Sequence, residues 1–454
     1  MLKEYIESIR GKRASVIGIG VSNTPLIRLL AEGGVQVTAH DKKLREQMPA
    51  LAEELEAMGV RLVLGPDYLQ GVDGDVVFRT PGLRPDVPAL REASERGAVI
   101  TSEMEVFLSL CPCPVIAVTG SDGKTTTTTV ISELLKAEGY RVFVGGNIGT
   151  PLLDRVDEMT KDDICVLELS SFQLMTMKQS PHVAVITNLS PNHLDFHKVM
   201  EEYIASKENV FLHQSENDVL VTNLDNLLTI QSAQKAPGMV RYFSRRTEAY
   251  SFCDRSGVIT VHGQKVMDAK DIFLPGVHNI ENYLAAFAAT ADYVRPETMR
   301  RVAETFTGVE HRLELVRELD GVRWYNDSIG TSPTRTAAGL RSFDRKVILI
   351  AGGYDKQIPF DDFGPVVLEH VKSLHLCGAT EEKIYQAVVN SPGYSSEKLP
   401  ITFHKDYEEM IAAIRAEAQT GDIVLLSPAC AAFDRFPNFS VRGRYFKELV
   451  NKLQ

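Results

Sequence analysis

Residues 114–139 read PVIAVTGSDGKTTTTTVISELLKAEG. Pro114 to Val118 is a short apolar run of strand type, Thr119 to Gly123 a glycine-rich turn, and Thr125 to Lys136 a helical stretch that Gly139 ends. A strand, a glycine turn and a helix start make a polyphosphate cradle. Glycines let the backbone approach, amide N–H groups point inward, and the helix N-terminus adds partial positive charge. Gly120, Ser121, Asp122, Gly123 and Thr126 form the cradle and helix start. Lys124 would reach the β- and γ-phosphates of a nucleoside triphosphate, and the Thr125 hydroxyl would ligate Mg²⁺. The longer GxxxxGK[ST] pattern is not met, because Val118 stands at its first glycine. The alternative is a helix-initiating turn with a surface lysine, against which the strand and helix context weighs.

On the N-terminal side, strands and helices alternate. Strands are expected at Ala14 to Ile19, Gln36 to His40 (ending at Asp41), Arg61 to Leu64 and Asp75 to Arg79, and helices at Asn23 to Gly33, Leu44 to Gly59 and Pro88 to Gly97. This is the pattern of a doubly wound, Rossmann-like α/β domain with ligands beyond the carboxyl ends of its strands. Gly18-Ile19-Gly20 begins a dinucleotide fingerprint and Asp41 stands where a ribose-binding acid would, but Asn23 occupies the third glycine's place. The turn argues more for some phosphate-bearing ligand than for NAD in particular. Thr80-Pro81-Gly82 ends another strand and either lines the same crevice or forms a plain turn. Thr101 to Pro114 reads as a hinge.

On the C-terminal side, strands at Ile164 to Glu168, Val183 to Asn188 and Val219 to Asn223 and a helix at Asn279 to Tyr293 extend the central unit. Glu168 ends a buried-looking strand, where a carboxylate is expensive without a metal or a base beside it. His193, Asp195 and His197 form an HxDxH cluster that lacks the glutamate of a zinc-protease helix, so two solvated loop histidines are the alternative to a metal site. Lys207, within helical Glu201 to Phe211, reads as an exposed helix lysine. From about Val309 a further α/β unit begins, with strands at Val322 to Tyr325, Lys346 to Ile350, Ser373 to Leu376 and Ile423 to Leu426 and helices at Thr334 to Phe343, Glu381 to Asn390 and Tyr407 to Gln419.

Composition bounds the class. The chain has 454 residues, 44% hydrophobic and 24% charged, and a net charge of −11, which argues against a nucleic-acid or membrane-surface binder. Six cysteines show no zinc-type spacing, Cys111 and Cys113 forming only a CxC in a proline-rich turn. Met1 to Arg13 is amphipathic and charged without an apolar signal core, so a reduced, cytoplasmic setting is expected.

Taken together, TGSDGKTTT at 119–127, LELSSFQL at 167–174, NLSPNHLDFH at 188–197, ASKENVF at 205–211, HNIEN at 278–282, EHRLE at 310–314 and NDS at 326–328 resemble the Mur ligase family of ATP-dependent amide ligases. The resemblance covers nearly the whole chain. It implies three α/β domains: 1–102 for a UDP-sugar, 103–308 as the P-loop ATPase with a mostly parallel sheet, and 309–454, Rossmann-like, for an amino acid. LSPACAAFDRFPNFSVRGRYF at 426–446 points within the family to UDP-N-acetylmuramoyl-L-alanine and D-glutamate as substrates and to an acyl-phosphate and then a tetrahedral intermediate.

The resemblance also implies roles. Lys124, Glu168, His193 and Lys207 would be catalytic. Thr125 and Glu168 would hold one Mg²⁺, and His193 and Lys207 a second metal, Mg²⁺ or Mn²⁺, with Lys207 carbamylated. Asn282 would meet adenine, Arg312 the ATP phosphates and Asp327 the ribose. Gly20, Val21, Ser22, Asp41, Gly82, Asn147 and His193 would hold the UDP-sugar, and Thr331, Lys356 and Phe439 D-glutamate. A monomer is expected. The chain departs from the pattern at Ile329, often lysine in relatives, at Ala432, often serine, and at Gly352-Gly353-Tyr354-Asp355-Lys356, where relatives have a GGDGK type. The competing readings are a folylpolyglutamate-type ligase, which has no use for a UDP crevice, and a nucleotide switch without ligase chemistry.

Overall fold

The β-branched and apolar runs become strands and, among the residues described, form three sheets. The computed structural model describes residues 1–193, 196–274, 276–356 and 358–454; Leu194 and Asp195, from the histidine cluster read in the sequence, lie outside the described residues. The chain divides into two units, one of residues 1–272 with 278–304 and the other of 273–277 with 305–454.

The first unit carries two sheets. A five-stranded parallel sheet runs in the order Arg61–Leu64, Gln36–Asp41, Arg13–Ile17, Val76–Phe78, Val99–Thr101. The second, nine-stranded, has Val115–Thr119 between Val183–Ile186 and Ile164–Glu168, with Val142–Gly146 at one edge. Its other side continues through Val219–Asn223, Met239–Ser244 and Ser251–Cys253 into the antiparallel pairs of Val258–Val261 and Gln264–Asp268. Strand order reverses around Val115–Thr119, and such a switch point opens a crevice beyond the carboxyl ends. The register sets Val118 opposite Glu168 and Glu168 opposite Gly146. The glycine turn, Glu168 and Asn147 therefore emerge at one end of the sheet.

Helix Lys124–Glu138 follows the turn and buries Thr127, Val130, Ile131, Leu134 and Leu135, a spacing of three and four that lays one face on the sheet. Gly139, in the left-handed conformation at φ 111°, ends it by returning its N–H to Leu135 and Lys136. One hydrophobic core runs through both sheets, from Val16 and Phe78 to Phe107, Val115 and Leu167.

The second unit holds a six-stranded sheet ordered Glu314–Leu319, Val322–Asn326, Ile423–Leu426, Val347–Ala351, Val371–Leu376, Ile401–Phe403, parallel except for the first pair. No helix of the described residues is long and apolar enough to cross a membrane.

Two expectations are corrected. The expected hinge at Thr101 to Pro114 contains the helix Glu103–Leu110, and Ser102 caps it by accepting from the Glu105 N–H. The Ser102-x-x-Glu105 pattern is the signal for that start. The helical stretch expected from Leu44 to Gly59 is split at Pro49, with a short turn Arg45–Gln47 before helix Pro49–Ala57.

Candidate active site

The glycine turn is held from behind. Gly120 has φ 146° and a Cβ there would overlap Thr187 Oγ1; Gly123 has φ 78° and a Cβ there would overlap Asn282 Oδ1. Both positions need glycine for conformation and for space. Asn188 Oδ1 accepts from the Asp122 N–H at 3.0 Å, and Ser121 Oγ donates to the Ser190 carbonyl at 2.9 Å. Lys124 Nζ folds over the turn and donates to the carbonyls of Gly120 and Ser121, both at 2.9 Å. Thr126, in the first turn of the helix, is buried. Asn282 accepts from Thr127 Oγ1 at 3.3 Å and donates to Asn279 Oδ1, so it buttresses the helix start as well as facing Gly123.

Beside the turn, Glu168 is 2% exposed and accepts two hydrogen bonds of 2.7 Å, from Thr125 Oγ1 and from Asn147 Nδ2. Asn147 is anchored by its own N–H on the Glu168 carbonyl at 2.8 Å. A threonine hydroxyl and a carboxylate side by side are hard oxygen donors of the kind Mg²⁺ takes. The cost foreseen for a carboxylate at this strand end is met by these two donors.

Lys207 is not the exposed helix lysine expected from the sequence; it is 2% exposed in helix Met200–Glu208. Its Nζ donates to the Gly120 carbonyl at 2.7 Å and Thr119 Oγ1 at 3.2 Å and lies 4.8 Å over the Tyr203 ring. Lys124 and Lys207 thus donate to the same Gly120 oxygen. Burial, and then the charge of Lys124, push the Lys207 ammonium well below the usual lysine range. An amine that has lost its proton is a nucleophile, and a primary amine offers no oxygen to Mg²⁺ until it is modified.

The two histidines part company. His193 is exposed at φ 53°, with its ring 5.0 Å from that of Phe172. His197 is fully buried, bonded through Nε2 to Ser171 Oγ at 2.8 Å and stacked on Phe172, and burial lowers its pKa. The reading of two solvated loop histidines fails for His197, which is part of the packing. No group of three or more His, Cys, Asp or Glu among the described residues could hold a metal ion.

In the five-stranded sheet, Asp41 is buried and accepts from the Ile19 N–H at 2.6 Å and the Lys43 N–H at 2.8 Å. Asn23, standing where the fingerprint has its third glycine, donates to the carbonyls of Ile17 and Gly18. These two side chains shape the loop from within. Val21 is 80% exposed, and a Cβ at Gly20 or Gly82 would meet nothing within 4 Å, so this rim is open. Ser22 precedes helix Asn23–Glu32 without a side-chain capping bond.

In the second unit, Asp327 is buried, accepting from Ser427 Oγ at 2.6 Å and the Leu313 N–H at 3.3 Å; burial pushes its carboxyl up to about 6, against the pull of Ser427 and the charge of Arg312. Lys356 Nζ donates to the Thr331 carbonyl and hydroxyl, each at 3.3 Å, and both residues line one small cavity with Tyr354, Asp355, Phe360 and Cys430. Burial, then Arg335, lowers the Lys356 pKa. Asp355 pairs with Lys383 at 3.2 Å. Phe439 does not line the cavity: it starts helix Phe439–Lys452, its carbonyl takes the Ser328 hydroxyl at 2.8 Å, and its ring meets His311 edge-on. Tyr203, Asn188 and Ser427 are structural partners of the site that sequence reasoning missed. Asn188 and Ser427 lay inside quoted motifs, whereas no local signal marks Tyr203.

A strand-end glycine turn with two lysines on one carbonyl, beside a hydroxyl–carboxylate pair, defines a nucleotide-handling α/β enzyme. Comparison with known proteins is specific: residues 118–290 match the Mur ligase middle domain and residues 311–430 the Mur ligase glutamate ligase domain. The chain belongs to the Mur ligase family, whose members are ATP-dependent amide-bond-forming ligases. It is 51% identical over 469 residues to the UDP-N-acetylmuramoylalanine–D-glutamate ligase of Ruminiclostridium cellulolyticum, covering 100% of this chain and 99% of that one. The same enzyme of Acetivibrio thermocellus is 50% identical over 461 residues, with 100% and 99% covered. Among solved structures, the UDP-N-acetylmuramate-alanine ligase of Thermotoga maritima has TM-score 0.58 at 18% identity over 97% of this chain and 99% of that one. A MurF ligase of the same organism in complex with ADP has TM-score 0.53 at 17% identity over 98% and 97%. At such identities these structures speak for the fold alone.

Proposed function

We infer that the protein joins D-glutamate to UDP-N-acetylmuramoyl-L-alanine at the expense of ATP, a step of peptidoglycan precursor synthesis. Full-length identity of about one half to ligases of that name carries the inference. The hydroxyl–carboxylate–amide cluster of Thr125, Glu168 and Asn147 beside the glycine turn supports it.

The chemistry accounts for the residue types. A carboxylate is a poor acyl donor because its leaving group would be oxide; transfer of the γ-phosphoryl group makes an acyl phosphate, and the amine of D-glutamate then displaces phosphate through a tetrahedral intermediate. In the first stage two anions meet, so cations must offset their repulsion in a site poor in water. Lys124 leaves its two turn carbonyls for the β- and γ-phosphates, while the N-terminus of helix Lys124–Glu138 receives the remaining oxygens. Asn147 orients the Glu168 carboxylate and faces the sugar substrate's reacting end.

Thr125 and Glu168 are assigned to one Mg²⁺, and His193 and Lys207 to a second metal, Mg²⁺ or Mn²⁺. Bound there, such a cation neutralises phosphate charge. Lys207 reaches this role as a carbamate: its ammonium loses a proton, the amine adds to CO₂ and loses a second, so that a cation competing with Lys124 for one carbonyl becomes an anion with two oxygens.

The remaining assignments are Asn282, Arg312 and Asp327 to ATP; Gly20, Val21, Ser22, Asp41, Gly82 and His193 to the UDP-sugar; and Thr331, Lys356 and Phe439 to D-glutamate. Of the last three, Lys356 and Thr331 share a cavity whose ammonium suits a dicarboxylate. The domains that carry these tasks are 1–102, 103–308 and 309–454. The test is the product: with an acceptor panel of D-glutamate, L-glutamate, L-lysine and a folate, the UDP-sugar should gain one glutamyl residue with D-glutamate only. A product with another acceptor would remove the assignment of the third domain's cavity.

A further inference from the structure

After the strand Val76–Phe78 the chain passes through Arg79, the Gly82 turn and Arg84. Arg79 is 1% exposed, and among the described residues no carboxylate is one of its bonding partners. Its Nη1 gathers the carbonyls of Leu83 at 2.7 Å and Pro81 at 3.1 Å, which closes the turn around Gly82. Its Nη2 reaches out of the turn to the Phe172 carbonyl at 3.0 Å and Thr176 Oγ1 at 3.1 Å. Arg84 makes the second grip. Its guanidinium is bidentate to Glu202, at 2.6 and 3.1 Å, and to Asp86, at 2.9 and 3.1 Å, and donates to the Phe196 carbonyl. Lys198 closes the group on Asp86 at 2.7 Å.

What these arginines hold is continuous with the nucleotide turn. Arg84 lies 5.5 Å over the Phe196 ring, which meets Phe172 edge-on at 4.5 Å; Phe172 in turn packs against His193 at 5.0 Å and stacks on His197. His197 meets Tyr203 at 5.3 Å. Tyr203 hydrogen-bonds Ser121 Oγ at 3.0 Å and lies beneath the Lys207 amine. Glu202, in the first turn of the Lys207 helix, is itself the Arg84 partner. A half-buried, multiply bonded fork of this kind fixes geometry in a way that an exposed pair does not.

We propose that Arg84, together with Arg79, is a positioning residue that couples occupancy of the UDP-sugar turn at Gly82 to the nucleotide-holding turn at Ser121 and the helix of Lys207. The proposal rests on the ligase reading above. Sugar seated on the Gly82 turn sets the carbonyls that Arg79 gathers and the direction of Arg84, and both guanidiniums act on the Phe172 and Phe196 packing that carries His193. Simple mortar between two sheets would raise stability without linking two ligands, whereas coupling is a reciprocal change in affinity.

The experiment is calorimetric titration of the full-length protein with a non-hydrolysable ATP analogue and Mg²⁺, with and without saturating UDP-N-acetylmuramoyl-L-alanine. In the wild type the sugar should change nucleotide affinity at least ~5-fold. Arg84→Ala should shrink that factor below ~2-fold, with nucleotide affinity in the absence of sugar within ~3-fold of wild type. Glu202→Gln, nearly isosteric, tests the same fork should Arg84→Ala not fold. A factor that survives either substitution, or none in the wild type, overturns the proposal. Wild-type ligation in a parallel assay separates the two levels: no ligation removes the ligase reading and the proposal with it, whereas ligation with unchanged coupling removes the proposal alone.

Discussion

Replacing Glu168 by glutamine separates its charge from its hydrogen bonding. The carboxylate accepts from Thr125 Oγ1 and Asn147 Nδ2 at 2.7 Å each. In Glu168→Gln the amide oxygen can keep the Asn147 bond, and its NH₂ can donate to the threonine hydroxyl, which accepts as readily as it donates. A hydrogen bond to a charged acceptor contributes about 1.5–3 kcal/mol and a neutral one about 0.5–1.5, so neutralising the pair forfeits roughly 2 kcal/mol. Relief of the burial cost of a side chain 2% exposed opposes this, at several kcal/mol per buried ion. The two nearly cancel, and folding stability should stay within about 2 kcal/mol of wild type. Turnover has no such compensation. Losing one charge that organises phosphoryl transfer costs at least ~3 kcal/mol of transition-state stabilisation, more than 10²-fold in kcat. Denaturant unfolding and phosphate release on the same preparation read both quantities. A kcat within threefold of wild type in a folded variant would make Glu168 a structural acceptor and remove it from the chemistry.

If Lys207 works as a carbamate, Lys207→Ala should lose turnover and regain part of it with short carboxylates such as acetate, which occupy the vacated space; absence of rescue at every concentration counts against the carbamate. Gly123→Ala places a methyl on Asn282 Oδ1 at a left-handed φ of 78°, so the KM for ATP should rise by at least tenfold, an effect of about 1.4 kcal/mol or more; an unchanged KM contradicts the close approach. Asp327 holds its proton to about pH 6 when folded, against 3.8 for the ordinary carboxyl, so the folded state binds the extra proton between those values. The contribution of Asp327 to wild-type stability therefore falls as pH rises through that window and levels off above it, by up to about 3 kcal/mol. Asp327→Asn removes that slope, and its stability relative to wild type should improve from pH 4 to 6; a difference independent of pH would show that the carboxyl titrates normally.

Much of this was legible because it is local. The turn at 119–123 announces itself by composition, and its glycines are where left-handed backbone and close approach demand them. The strand Ile164–Glu168 was readable as an apolar run ending in an acid, whereas the break at Pro49 was passed over inside the helix expected from Leu44 to Gly59. Long-range contact was not legible. Lys207 sits in a polar-looking helix and is buried only because Gly120, 87 residues away, lies against it. Asp41 had the place of a ribose-binding acid, but its carboxylate is occupied by two backbone N–H groups, one of them 22 residues distant. The short strands Ser251–Cys253 and Val258–Val261 carry too few alternating positions to stand out from turns, and they form by pairing with one another. The Ser102 cap was present as a pattern, overshadowed by the Cys-Pro turn that follows it.

The most direct measurement is phosphate release with ATP and Mg²⁺ while each substrate is omitted in turn. The account predicts release only when UDP-N-acetylmuramoyl-L-alanine and D-glutamate are both present, with ADP, phosphate and product formed in equal amounts. Steady release from ATP alone, undiminished without the UDP-sugar, would contradict it and leave a nucleotide switch in its place.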